Sequence, residues 1–295
     1  MTAVFFMNLF AATQDIAVDG LAVDILGSKD LGPGNAAQVV GYKTGMLVSG
    51  GFLVWLNEYV GWSGLFLVMA GLSFVPLVGI LLYNEVSNTD TFAIVKRSLK
   101  EVLNLVVKAF TLPGAVWLIA FIATYKFGEL MIDVMFKPFL VDSGFTASQI
   151  GLWVGTYGMA ASLLGSICGG ALSSRLPLWK ALGIASILRV IPLGLEWWLT
   201  LIKPLDIHVI SVTLAEHFFG GILTTAVFAF MMSRVDKRIG ATHYTILACI
   251  EVLGKTPGAG ASGFIADHFG YSPVFAAGVI LSILVIAIIP KLKNK

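Results

Sequence analysis

The side chains able to do chemistry in this sequence are ionisable groups set inside apolar runs. Gln14, Asp15 and Asp19 stand in the run 2–26, with Asp24 nearer its end. Asp15 and Asp19 are four apart and share a face if the run is helical. Paired acids on one face can hold a proton between them; the alternative is a structural pair that binds a basic partner or a neighbouring helix end. Tyr42 and Lys43 lie in a second run, and Tyr125, Lys126, Glu129 and Asp133 in a fourth, the three charges on one face. Glu216 and His217 lie in a seventh run, and Glu251 and Lys255, four apart with the acid first, in an eighth. Lys43, Lys126 and Lys255 are candidates for holding anionic groups of a solute, with Gln14, Tyr42 and Tyr125 beside them. Asp15, Asp19, Glu129, Asp133, Glu216 and Glu251 are candidates for carrying protons or for orienting those lysines. Plainer readings stand beside these. Glu251 and Lys255 have the polarity of a self-contained helical ion pair, and a lone His217 reads as a satisfied buried histidine. Arg189 and Glu196, in a sixth run, have no evident role.

The elements that carry these residues are membrane spans. The chain has 295 residues, 57% hydrophobic and 12% charged, with a mean hydropathy of +0.90. A soluble domain carries about 25% charged residues, so this chain would expose far too much apolar surface in water. The net charge of +2 gives no reason to expect a nucleic-acid partner. Cys168 and Cys249 are far apart in apolar runs, and neither a disulfide framework, a metal-ligand spacing nor a cofactor motif is visible. The N-terminal stretch is apolar from Ala3 without a basic region before it, so a cleaved secretory signal is not expected. A bilayer needs about 20 apolar residues per helix. Nine such runs are readable, at 2–26, 36–57, 62–83, 113–137, 147–172, 178–203, 208–232, 241–266 and 271–290. Clusters such as Gly32-Pro33-Gly34, Gly61-Trp62, Ser143-Gly144 and Lys203-Pro204 read as the turns between them.

Alternating spans collect Lys29, Lys96, Arg97, Lys100, Lys108, Arg175, Lys180, Arg234, Lys237, Arg238, Lys291, Lys293 and Lys295 on one side, 13 of the 19 basic residues. That side is expected to be cytoplasmic, with the C-terminus inside and Met1 outside. The stretch 84–111 is also on that side. Phe92, Val95, Leu99, Val102, Leu103, Val106 and Val107 recur there at helical spacing, as in an amphipathic helix on the membrane face; a solvated linker is the alternative. It separates a partial bundle of three helices, residues 1–83, from a bundle of six, residues 112–295. The expectation is an all-α polytopic membrane protein. A three-plus-six arrangement is most simply explained by three upstream helices absent from this chain; the alternative is a nine-helix protein.

Charge is unevenly shared among the spans. The runs 62–83 and 271–290 hold no internal ionisable group and read as peripheral, lipid-facing helices. Others hold several, as expected of a polar cavity inside an apolar wall. Gly45, Gly50 and Gly51, then Gly155, Gly158, Gly165, Gly169 and Gly170, then Gly254, Gly258, Gly260 and Gly263 in a run interrupted by Pro257, suit either close packing or rocking helices.

The run Ala12-Thr13-Gln14-Asp15-Ile16-Ala17-Val18-Asp19-Gly20 resembles the fourth transmembrane helix of the acetyl-coenzyme A transporter family of the major facilitator superfamily, a family related to AmpG-type muropeptide permeases. Gly34-Asn35-Ala36-Ala37-Gln38-Val39-Val40-Gly41-Tyr42-Lys43 and Gly263-Phe264-Ile265-Ala266-Asp267-His268-Phe269-Gly270-Tyr271 extend the likeness over essentially the whole chain. The resemblance implies nine of twelve transmembrane helices, numbers four to twelve. It also implies a secondary transporter of an anionic organic solute, acetyl-CoA or a related metabolite, working by alternating access with protons as a candidate coupling ion. A muropeptide or amino-sugar permease is the alternative. It puts Asp15, Lys43, Lys126, Glu216 and Glu251 on cavity helices and leaves Arg189 and Glu196 on a peripheral one. At the family's cytoplasmic loop signature, Gly170-Ala171-Leu172-Ser173-Ser174-Arg175 has Ser174 where an acid is usual, which puts a salt bridge there in doubt.

Two readings of other classes are open. Gly260-Ala261-Ser262-Gly263 matches the short string of an intramembrane serine protease, which would need His268 as its base. A non-transporting fragment or receptor is the other. The partners expected are a small anionic solute, protons and the lipid bilayer, with no cofactor or metal; nothing bears on oligomeric state.

Overall fold

The computed structural model describes residues 1–49, 53–82 and 98–293, and every regular element among them is helical. α1 spans Thr2–Ile25 and α2 Leu31–Leu47. α3 spans Leu53–Leu82, and α4 Leu99–Thr111. α5, Ala115–Thr124, and α6, Phe127–Asp142, together make one crossing. α7 is the single turn Ala147–Ile150, continued by a π-helical stretch, Gly151–Gly158, into α8, Met159–Arg175. α9 is Leu178–Leu199, α10 Asp206–Ser233, α11 Gly240–Phe269 and α12 Tyr271–Ile286. Gly50, Gly51, Phe92, Val95, Lys96, Arg97 and Lys295, which figure in the sequence reading, lie outside the described residues.

Among the described residues, six paths are long and apolar enough to cross a membrane: Tyr59–Leu82, Ala115–Asp142, Ala147–Arg175, Leu178–Leu199, Asp206–Ser233 and Tyr271–Leu292. α1, α2 and α11 are not among them. α2 has only 17 residues, while α1 and α11 carry Asp15, Asp19 and Asp24, and Glu251 and Lys255. The three less apolar helices are therefore ones assigned from sequence to a polar interior.

Three local readings are corrected. Gly32-Pro33-Gly34 is no turn but the first turn of α2, where a proline's missing N–H is an orphan donor anyway. The break expected at Gly61-Trp62 is present: Gly61, with φ 65° and ψ 174°, leaves the helical conformation within Leu53–Leu82, in a region that favours glycine. The fourth run loosens at Tyr125-Lys126, so Lys126 (φ −100°, ψ 0°) is the N-cap of α6 rather than mid-helix. Just before this junction the Thr124 hydroxyl donates to the Ala120 carbonyl at 2.6 Å, a back-bond that tends to bend helices. Pro257 does not interrupt α11, which runs through it. The end of α6 is as expected: Gly144 (φ 95°) takes the left-handed position, and the Phe145 N–H reaches the Leu140 carbonyl at 3.1 Å, closing a Schellman motif.

α10 is the axis of the packing, with α8 and α9 against it, α2 on α8, α6 between α11 and α12, and α1 on α11. The α8–α10 contact is backbone to backbone. A β-carbon at Gly165 would overlap the Phe218 carbonyl, and one at Gly169 would sit 2.9 Å from Ile222 Cα. Close packing is thus the role of that glycine face. By contrast Gly45, Gly155, Gly260 and Gly263 face open space. At the other end of α2, Gly32 meets the Gly170 carbonyl and Ser174; the Ser174 hydroxyl donates to the carbonyl of Gly170 in its own helix at 2.7 Å. From Tyr59 to Leu82, α3 is almost wholly exposed, which suits lipid and not water.

Candidate functional site

Lys43 on α2 is buried against α8. Its Nζ donates to Ser162 Oγ at 2.5 Å and to Ser166 Oγ at 3.1 Å. The Ser166 hydroxyl gives its own proton to the Ser162 carbonyl at 2.8 Å, which turns its lone pairs to the lysine. The two serines were not identified from sequence. Their signal was present: two hydroxyls four apart in an otherwise glycine-rich apolar helix, one face of one turn.

Arg189 explains itself only in three dimensions. It is 2% exposed and reaches inward from α9. Its Nε donates to Glu129 Oε2 of α6 at 3.1 Å, and its two terminal nitrogens reach the backbone carbonyl and the Oε1 of Glu216 on α10. Glu216 Oε2 in turn meets His217 Nδ1, which also lies 3.2 Å from the Thr213 carbonyl. His217 is therefore half-buried and paired with an acid. The arrangement is one guanidinium between two carboxylates, with an imidazole on the far side of one of them. It is the best available way to keep such charges inside a bundle, since each is both paired and hydrogen-bonded. Glu196, also on α9, is fully buried, and its Oε2 has no hydrogen-bond partner among the described residues.

Glu251 on α11 gathers a second group. Lys255 Nζ donates to its two oxygens at 3.0 and 3.2 Å, the helical pair expected from the spacing. The Tyr125 hydroxyl donates to Oε1 at 3.3 Å, and Lys126 Nζ is 3.8 Å away. One carboxylate thus ties α11 to the loosened junction of α5 and α6. The three charges expected on one face of the fourth run divide accordingly: Lys126 turns to Glu251, Glu129 to Arg189, and Asp133 is exposed without an ion pair among the described residues.

Between the two groups lies a cavity of about 190 Å³, lined by Tyr42, Lys43, Lys126, Glu129, Glu216 and His217 among others. Five of the twelve residues singled out by type and spacing therefore line one space, and Tyr125, Glu251 and Lys255 adjoin it. The α1 candidates do not line it. Gln14 and Asp15 are exposed, and Asp19 accepts a hydrogen bond from Gln38 of α2 at 2.5 Å. The serine–histidine pair is not assembled: the Ser262 hydroxyl bonds the Ala259 carbonyl at 2.8 Å, and the exposed His268 lies 2.9 Å from the Phe264 carbonyl, each within its own helix.

Helices with a common apolar exterior, packed through glycines beside a cavity lined by charged side chains, define a helical membrane bundle. The chain belongs to the Major Facilitator Superfamily, whose profile matches residues 1–249. Among curated relatives, it is 32% identical over 275 residues to the anhydromuropeptide permease of Escherichia coli K12, covering 91% of this chain and 55% of that protein. It is 26% identical over 305 residues to a putative transporter AmpG 4 of Rickettsia conorii, covering 100% of this chain and 73% of the relative. An uncharacterized protein of Haemophilus influenzae is 24% identical over 284 residues, 90% of this chain and 65% of that one. The chain thus spans about half the length of the E. coli permease it matches.

Proposed function

We propose that this chain serves the transport of a muropeptide-type solute, amino sugars joined to a short acidic peptide, across a membrane by alternating access. The observation that carries the reading is the cavity in which Lys43, braced by Ser162 and Ser166, shares one space with Lys126 and Tyr42. Its 190 Å³ is smaller than the roughly 300–1,000 Å³ that encloses a drug-sized ligand, so it suits one carboxylate-bearing end of a larger solute. In this reading Lys43 and Lys126 hold carboxylates, and Tyr42 donates to the solute. Glu251, with Tyr125 and Lys255, orients Lys126. The Glu129–Arg189–Glu216–His217 group carries the coupling proton, with the exposed Asp133 as its outlet. Asp15 and Asp19 serve the same transfer from α1, and Gln14 is a solute contact on that helix. The three-helix bundle of residues 1–83 and the six-helix bundle of residues 112–295 move relative to each other about the 84–111 connection, and the basic end of the molecule, with the C-terminus, is cytoplasmic.

Acetyl-CoA is the second reading, since its phosphates would also suit the lysines. The permease names among the relatives favour the muropeptide. A thermal-shift titration of the detergent-solubilised chain separates them, because a ligand bound only by the folded state raises the melting temperature. An anhydromuropeptide is expected to raise it at lower concentration than acetyl-CoA. The reverse order reinstates the acyl-CoA reading, and no shift with either, alongside no uptake, counts against both.

A further inference from the structure

A larger cavity, about 280 Å³, lies away from the polar site, where α4 turns into α5 beside the ends of α10 and α11 and the chain's last turn, Ile289–Leu292. It is a consequence of how α4 is docked. Ser98 and Glu101 close a capping box that starts α4, and Gly114, with φ 92°, turns the chain into α5. On its inner side α4 buries Ala109 and sets the Phe110 ring 5.1 Å from that of His243. On its outer side Leu99, Leu103 and Val107 are 76%, 55% and 62% exposed, a continuous apolar stripe at spacing four. Such a stripe on a helix at the basic end of a membrane bundle dips into the acyl-chain boundary.

The cavity beneath has two kinds of wall. Leu118, Ile119 and Phe230 make the inner one. At the mouth stand Arg234 and Lys291. Arg234 is held in place by its Nη2 bond to the Leu292 carbonyl at 2.7 Å and lies 4.8 Å over the Phe230 ring. Lys291 Nζ lies 5.9 Å over the Trp117 ring. Among the described lining residues the carboxylate is Asp236, and it is engaged by Arg238, with Nε at 2.9 and 3.1 Å and Nη2 at 2.5 Å. His243 Nδ1 accepts from the Asp236 N–H at 3.0 Å, so a neutral ring carries its proton on Nε2 as a further donor. Among the described residues the mouth is therefore cationic, the interior apolar, and the neighbouring surface of α5 apolar too, with Val116 and Trp117 exposed.

We infer that this cavity holds an anionic phospholipid, its phosphate between Arg234 and Lys291 and an acyl chain against Leu118 and Ile119. The charge is that of a lipid phosphate, and the apolar interior opening beside the α4 stripe is what a free phosphate would not need. Basic pockets between membrane helices recognise such headgroups through the same combination. Each basic residue near an anionic surface strengthens binding about fivefold, so the pair gives roughly a 30-fold preference over a zwitterionic lipid.

The test is native mass spectrometry of the full chain in mild detergent, loaded with phosphatidylglycerol or with phosphatidylcholine of the same acyl chains. The wild type is expected to retain one phosphatidylglycerol in preference to phosphatidylcholine, and Arg234→Gln/Lys291→Gln to lose at least ten-fold of that preference at an unchanged melting temperature. Equal preference in both proteins overturns the inference. If the double variant does not fold, Ile119→Trp decides, since it fills the cavity and leaves the charges. Loss of the retained lipid supports the site, and undiminished retention overturns it. Displacement of phosphatidylglycerol by an equal concentration of inorganic phosphate would also overturn it, by showing that the acyl chain contributes nothing.

Discussion

Replacing Arg189 with methionine keeps the length of the side chain and removes its charge. Two carboxylates then lose their counter-ion. Glu129 and Glu216 are each buried, Arg189 itself is 2% exposed, and the Nε–Glu129 contact is 3.1 Å, so solvent cannot substitute for the guanidinium. Removing one partner of a buried, hydrogen-bonded ion group costs about 3–5 kcal/mol, chiefly because the remaining charges stay buried and unpaired. At about 2 °C per kcal/mol for a large chain, the melting temperature should fall by on the order of 6–10 °C. The assay is thermal unfolding of the purified protein in one detergent, followed by intrinsic tryptophan fluorescence. The penalty belongs to the carboxylates and not to lost packing, so Glu129→Gln/Glu216→Gln added to Arg189→Met should recover at least half of it. A melting temperature within about 2 °C of the wild type for the single variant would refute the reasoning. So would a triple variant no more stable than the single.

Glycine positions separate packing from conformational freedom. Gly165→Ala drives a methyl into the Phe218 carbonyl and should cost about 1–3 kcal/mol or more, whereas Gly260→Ala meets nothing and should stabilise α11 by about 0.5–1 kcal/mol; urea or SDS titration reads both, and equal effects would contradict the packing. Glu251→Gln removes the anion shared by Lys255, Lys126 and the Tyr125 hydroxyl and should lower stability by about 1–3 kcal/mol, measured by the same titration. Outside the membrane, hydrogen bonds from Arg238 hold the Asp236 carboxyl below the usual carboxylate range. A depressed value stabilises the loop above the unfolded value, near about 3.9, and that stability is lost as pH falls through the folded value. Amide exchange in residues 234–240 should therefore quicken as pH drops below about 4 beyond its intrinsic change, and Asp236→Asn should abolish the extra slope. An unchanged slope in the variant would remove Asp236 from the account.

What was legible in the sequence follows a physical rule. Interactions within one helical turn were readable: the Glu251–Lys255 pair at spacing four is there at 3.0 Å. Within the stretch 84–111, the described part from Leu99 is the helix expected from the apolar spacing, and Ser98 and Glu101 cap its start. Partners brought from different helices were not readable. Arg189 meets Glu129 and Glu216 across separations of 60 and 27 residues, which no local period encodes, so it looked unexplained on a peripheral helix. Lys43 was singled out, but its serines were not, for the same reason. Turn residues misled where they serve packing: Gly32-Pro33-Gly34 opens α2 because glycine lets it lie on Gly170, and Pro33 falls in a turn that tolerates proline.

The central claim is that the cavity around Lys43 receives the acidic end of a muropeptide-type solute. Uptake of a radiolabelled anhydromuropeptide into proteoliposomes holding this chain, beside the Lys43→Met variant at matched incorporation and melting temperature, tests it most directly. The account predicts saturable uptake by the wild type and at least a ten-fold loss in the variant, about 1.4 kcal/mol or more of lost recognition. Uptake by the variant at the wild-type rate, or none by the wild type above empty vesicles, would contradict it.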